Sequence, residues 1–156
     1  MEQQTRLKIW IELIWWFITA LIVTAVLYIP QNSLNEWPFI WWNALFVVVL
    51  ITLSRYIFLL KYTFLGKQQE LKIALMLLCF PLIFTLINGL NAFMRFIEDR
   101  TWEPLTGHLP FEERLSTESY IWSEMLFFGV GSIIVTPIFM VRMIASVWLY
   151  RNRGVI

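Results

Sequence analysis

The residues of this chain that could do chemistry are charges and amides set inside long apolar runs. Glu12, Arg55, Arg95, Glu124 and Arg142 each interrupt a stretch that is otherwise hydrophobic. An ionisable group in that setting is expensive, and it marks an ion pair, a transport path or a proton relay. Depth along the runs sorts the five. Glu12, Arg55 and Arg142 fall in the inner halves of the first, second and fourth runs, and Arg95 and Glu124 near the outer ends of the third and fourth. Opposite charges therefore occur at matching depths. We expect Arg95 to pair with Glu124, and Glu12 to pair with Arg55 or Arg142. The competing expectation is that the arginines snorkel, laying their apolar stems along the helix with the guanidinium at the headgroups.

The third run carries a polar pattern. Thr85, Asn88, Asn91, Arg95 and Asp99 recur every three or four residues, which places them on one helical face. The stripe starts near mid-membrane and opens outward. Gly89 and Ala92 beside it would let another helix come close. Such a stripe either lines a hydrated vestibule or hydrogen-bonds between helices, the commoner use of asparagine in a span. In the fourth run Glu124, Phe128, Ser132 and Thr136 follow at intervals of four, accompanied by Gly129 and Gly131. The expected arrangement brings these two polar faces together.

Other chemistry is missing from the sequence. There is no glycine-rich phosphate loop, no GxSxG elbow, no HExxH and no CxxC. The lone cysteine, Cys79, lies in an apolar run and reads as a packing residue. A lone histidine, His108, cannot supply a bis-histidine haem site. With the flexible carboxylates Glu112 and Glu113 beside it, one histidine is a weak signal of a metal site, so no metal and no cofactor is expected. A net charge of +1 gives no bulk attraction for nucleic acid.

These residues need elements to hold them. Of the 156 residues, 59% are hydrophobic and 15% charged. The charged share is well below the roughly 25% of soluble domains, so much of the apolar surface must lie in lipid or against partners. About 20 apolar residues cross a bilayer, and four stretches meet that length: about 9–29, stopping at Pro30; 39–60; 73–97; and 120–150. The fourth is longer than needed and should tilt or project. The first has the charged start of a signal peptide, but its apolar run is too long and contains Glu12. Trp10 and Trp148 lie near one set of span ends, and Trp37, Trp41, Trp42, Trp102 and Trp122 near the other, as interfacial belts require. Trp15 and Trp16 sit deeper, without a reason evident from sequence.

Lysine and arginine give the direction. Arg6, Lys8, Lys61, Lys67, Lys72, Arg151 and Arg153 share one side, against Arg100 and Arg114 on the other. The positive-inside rule puts the termini and the middle connection in the cytoplasm. The acidic residues Glu36, Glu98, Asp99, Glu103, Glu112, Glu113 and Glu118 gather outside. The long outer connection, about 98–119, contains "PFEERL", expected to form a short helix from Pro110. Ser116 or Thr117 is then expected to cap the fourth span, with Glu118 in its first turn. Pro81 and Pro137 are candidate kinks.

The sequence thus reads as an all-α polytopic membrane protein: one domain, four transmembrane helices in a bundle, both termini cytoplasmic, and a longer, partly helical outer loop. The expected location is a bacterial-type cytoplasmic (inner) membrane. The expected role is non-enzymatic, as an accessory or structural subunit of a larger membrane complex. Its partners would be the lipid bilayer and other membrane subunits or copies of itself. Two other roles fit. One is an oligomeric channel or transporter with a polar pathway lined by the third and fourth spans. The other is a membrane-embedded sensor acting through a partner.

Overall fold

The computed structural model describes residues 2–66 and 68–153. Lys67, one of the lysines used above for orientation, lies outside the described residues. Every regular element among them is helical: α1 (Glu2–Ser33), α2 (Ile40–Leu59), α3 (Gln69–Arg100), the short α4 (Glu103–Thr106) and α5 (Phe111–Arg153). Two single 3₁₀ turns, Leu60–Tyr62 and Phe64–Gly66, join α2 to α3. Four of the helices, α1, α2, α3 and α5, are long and apolar enough to cross a membrane.

The boundaries differ from the hydropathy reading in three places. Pro30 does not end the first helix, which continues to Ser33. The Pro30 carbonyl still accepts a hydrogen bond from Leu34 N–H at 3.1 Å. The helix α3 extends beyond its apolar stretch at both ends. "PFEERL" is not a separate helix but the first turns of α5, a single helix of 43 residues. Pro110 precedes its first residue, a position that needs no N–H. Ser116 and Thr117 therefore cap nothing, and the Ser116 hydroxyl donates instead to the Glu113 carbonyl at 2.9 Å. At about 1.5 Å per residue α5 is roughly 65 Å long, so its first turns stand outside a hydrocarbon layer of about 30 Å. Both α3 and α5 run through their prolines, Pro81 and Pro137, as continuous helices.

Helix α5 is the centre of the assembly. It packs along both α2 and α3, while α1 packs chiefly on α2. The two outer helices of the set, α1 and α3, thus each keep a broad face free. One core cluster gathers Phe39, Phe46, Leu86, Phe93, Ile121 and Met125 toward the end that holds α4. A smaller one gathers Leu60, Cys79, Phe139 and Met143 toward the opposite, basic end. Close approach depends on glycine at two crossings. A methyl group at Gly89 of α3 would collide with the ring of Trp42 on α2, and one at Gly129 of α5 would lie 2.9 Å from Leu90 of α3.

The connection before α5 is pinned by polar contacts. Arg114 reaches Glu103 and Glu118, each at 2.8 Å. The Thr106 hydroxyl donates to Glu118 at 2.5 Å. The His108 ring lies 3.1 Å from the Ser33 carbonyl, and the Tyr120 hydroxyl donates to the Val26 carbonyl at 3.0 Å. These last two tie the loop and the start of the fourth span to the end of α1.

Candidate functional site

The intramembrane polar residues divide into an inward set and an outward set. Inward, Glu12 of α1 and Arg55 of α2 form an ion pair at 2.6 Å, with the Arg55 side chain 5% exposed. Of the two partners expected for Glu12, Arg55 holds it. The guanidinium also lies over Trp15 at 5.5 Å and Tyr56 at 5.3 Å, and Tyr56 adds a side-chain hydrogen bond to Glu12. Cation–π contact strengthens when the cation is desolvated. This supplies the reason for the deep Trp15 that sequence left open. Arg142, the other candidate, uses its Nε to donate to the Ile57 carbonyl at 3.3 Å. Arg142 thus fastens α5 to the end of α2 and takes no part in the Glu12 pair.

The expected Arg95–Glu124 pair does not form. Glu124 is buried, and it accepts a hydrogen bond from the Asn43 amide of α2 at 2.9 Å. Arg95 lies exposed on the opposite side of α3. The error is one of rotation. Equal depth along two helices brings residues together only if both faces turn toward the shared interface, and α3 turns Leu86, Gly89, Leu90 and Phe93 inward instead. Asn43 is the partner that sequence reasoning missed. It is uncharged and sits in the first turn of an apolar helix, and its only signal is that it is an amide in a span. Asn43 Oδ1 and Glu124 Oε1 are both buried without a hydrogen-bond partner among the described residues.

The rest of the α5 polar face is inward and locally satisfied. Ser132 and Thr136 are fully buried. The Ser132 hydroxyl donates to the Gly129 carbonyl at 2.8 Å, and Thr136 to the Ser132 carbonyl at 2.7 Å. These hydroxyls spend their donors on their own helix, while the α3 stripe is exposed on the far side of α3. The two faces expected to meet do not meet.

Outward lies the α3 stripe. Thr85, Asn88, Asn91, Arg95 and Asp99 are all exposed. Thr85 donates to the Pro81 carbonyl at 2.9 Å. Asn88, Asn91, Arg95 and Asp99 make no side-chain hydrogen bond or ion pair with the described residues. At about 1.5 Å per residue, Asn88 and Asn91 sit roughly 5 and 10 Å beyond the middle of α3. Both depths fall within the ~15 Å half-thickness of the hydrocarbon. Arg95 and Asp99 reach the interface, where water and headgroups satisfy them. The two asparagines are therefore the residues whose placement needs a partner. A polar group left unsatisfied in hydrocarbon costs several kcal/mol.

Compared with protein families, with curated proteins and with solved structures, the chain matches none.

Proposed function

We propose that this chain is a non-enzymatic subunit of a larger complex in a bacterial-type cytoplasmic membrane, with its termini in the cytoplasm, and that the α3 stripe is its docking face. The observation that carries this is the outward direction of Asn88 and Asn91. Each side-chain amide offers two donors and an acceptor, and none of the described residues engages them. In hydrocarbon the remaining partners are another transmembrane helix bearing amide, hydroxyl or carboxyl groups at the same depth. Interhelical hydrogen bonds of this kind contribute about 0.6–2 kcal/mol each. Arg95 and Asp99 extend the same face to the interface and add charge matching.

Affinity purification from native membranes in mild detergent tests the reading. The wild-type chain is expected to bring a second membrane protein in fixed ratio, and a variant with Asn88→Leu and Asn91→Leu to purify without it. Recovery of the wild-type chain alone, at every detergent tried, would overturn it. The outward stripe also suits a second reading, in which copies of the chain surround a polar pathway. Flux across liposomes that the same double substitution abolishes would select that reading.

A further inference from the structure

At the opposite end of the same helix lies a feature with different chemistry. Lys72, in the first turn of α3, is fully buried. Its ammonium donates to the Gly66 carbonyl at 2.7 Å, to the Ser146 hydroxyl at 3.0 Å and toward the Gln69 side-chain oxygen at 3.4 Å. All three acceptors are neutral. No carboxylate among the described residues lies within 4 Å of Lys72, Arg142 or Arg151. The Arg142 guanidinium is near enough to act on Lys72 electrostatically. The fold has therefore gathered positive charge here, with Glu12 engaged by Arg55 and Glu70, exposed in the same turn, making no ion pair with Lys72 among the described residues. A buried charge without a counter-charge is unfavourable by several kcal/mol.

The same spot opens into an apolar groove between α3 and α5. Its walls are Ile73, Met76, Met143 and Val147, and Lys72 and the exposed Arg151 stand at its basic end. The groove measures about 220 Å³. That is below the roughly 300–1,000 Å³ of pockets that enclose small solutes. It is partly open to its surroundings, as a site for part of a chain would be. Its apolar walls run from the interface toward the hydrocarbon, and its charge sits at headgroup level.

We propose that this groove binds an anionic phospholipid, with the phosphate against Arg151 and over the buried Lys72, and one acyl chain along Ile73, Met76 and Val147. Arg151 supplies the direct hydrogen bonds. Lys72 acts through its charge, since its three donors are already directed at protein oxygens. A soluble anion would gain the charge but leave the apolar groove open, and a zwitterionic lipid would fill the groove but leave the charge uncompensated. The site is remote from Asn88 and Asn91 and stands independently of the docking reading.

The test is native mass spectrometry of the full chain released from vesicles of phosphatidylcholine with added phosphatidylglycerol. The wild-type chain is expected to retain one phosphatidylglycerol in preference to phosphatidylcholine. One basic side chain near an anionic surface is worth about 1 kcal/mol, so Arg151→Gln should cut retention roughly fivefold. Lys72→Met should cut it at least as far. Because Lys72 is buried, Val147→Trp provides a check that leaves every charge in place. It fills the groove and should also expel the lipid, with the melting temperature unchanged. Lys61→Gln, at the same end but outside the groove, should leave retention as in wild type. Equal retention of the two lipids, or equal loss in Lys61→Gln and Arg151→Gln, would overturn the proposal.

Discussion

The inward polar face of α5 and the outward polar stripe of α3 carry similar residue types at similar spacing, yet the fold treats them oppositely. On α5, Glu124 takes the Asn43 amide, and Ser132 and Thr136 close onto their own helix. On α3, Asn88 and Asn91 are exposed and bond to none of the described residues. In water this contrast would mean little, because an exposed asparagine is ordinary. In hydrocarbon it inverts. The buried polar groups are those the chain has satisfied, and the exposed ones are those it has left for something else. Exposure, not burial, is the functional signal in a bundle of this kind.

Three sets of substitutions break or sharpen that contrast. The largest effect is expected on the inward side, from Glu12→Leu. It strands Arg55 between α1 and α2, where removing one partner of a buried pair costs about 3–5 kcal/mol. The variant should show a sharp loss of thermal stability in detergent. The double change Glu12→Leu with Arg55→Met should recover most of that loss, because no charge is then left alone. Next is Gly89→Ala, at the crossing of α2 and α3. The added methyl collides with the Trp42 ring, and overpacking of this sort costs about 1–3 kcal/mol. Trp42→Leu should rescue it, which would locate the effect at that crossing. The smallest effect is expected on the outward side. Asn88→Leu with Asn91→Leu should leave the stability of the isolated chain unchanged within about 0.5 kcal/mol. A marked loss there would show that the asparagines serve the chain's own fold.

The architecture was largely legible from hydropathy. Length and apolarity located all four spans, and the helices overshoot them mainly where polar turns such as "EERLST" continue a helix beyond the apolar stretch. The spacing of the α3 stripe was legible too, since Thr85, Asn88, Asn91, Arg95 and Asp99 share a face in the structure. The direction of that face was not. In a soluble helix the apolar side points inward and gives the rotation away. In α3 the exposed Phe84 and Ile87 are as apolar as the buried Leu86 and Phe93, so hydropathy carries no rotational information. That is why the Arg95–Glu124 pair was expected and does not occur. The Glu12–Arg55 pair is seen because both of those residues turn into one interface. In the sequence Lys72 counts only as one of the basic residues that set the orientation. Its burial depends on the turn at Gly66 and on Ser146 of α5, a contact 74 residues away that no local pattern encodes.

The most direct test of the docking claim is a photo-crosslinking residue placed at Ile87, which is exposed and flanks the asparagines. A matching one at Phe58 of α2, 81% exposed, serves as the reference. Irradiated in native membranes, position 87 is predicted to yield a protein adduct of one discrete mass, and position 58 none. That adduct should disappear when Asn88→Leu and Asn91→Leu are introduced together. If position 87 instead reacts only with lipid, as position 58 does, the α3 stripe faces the bilayer alone and is not a docking face.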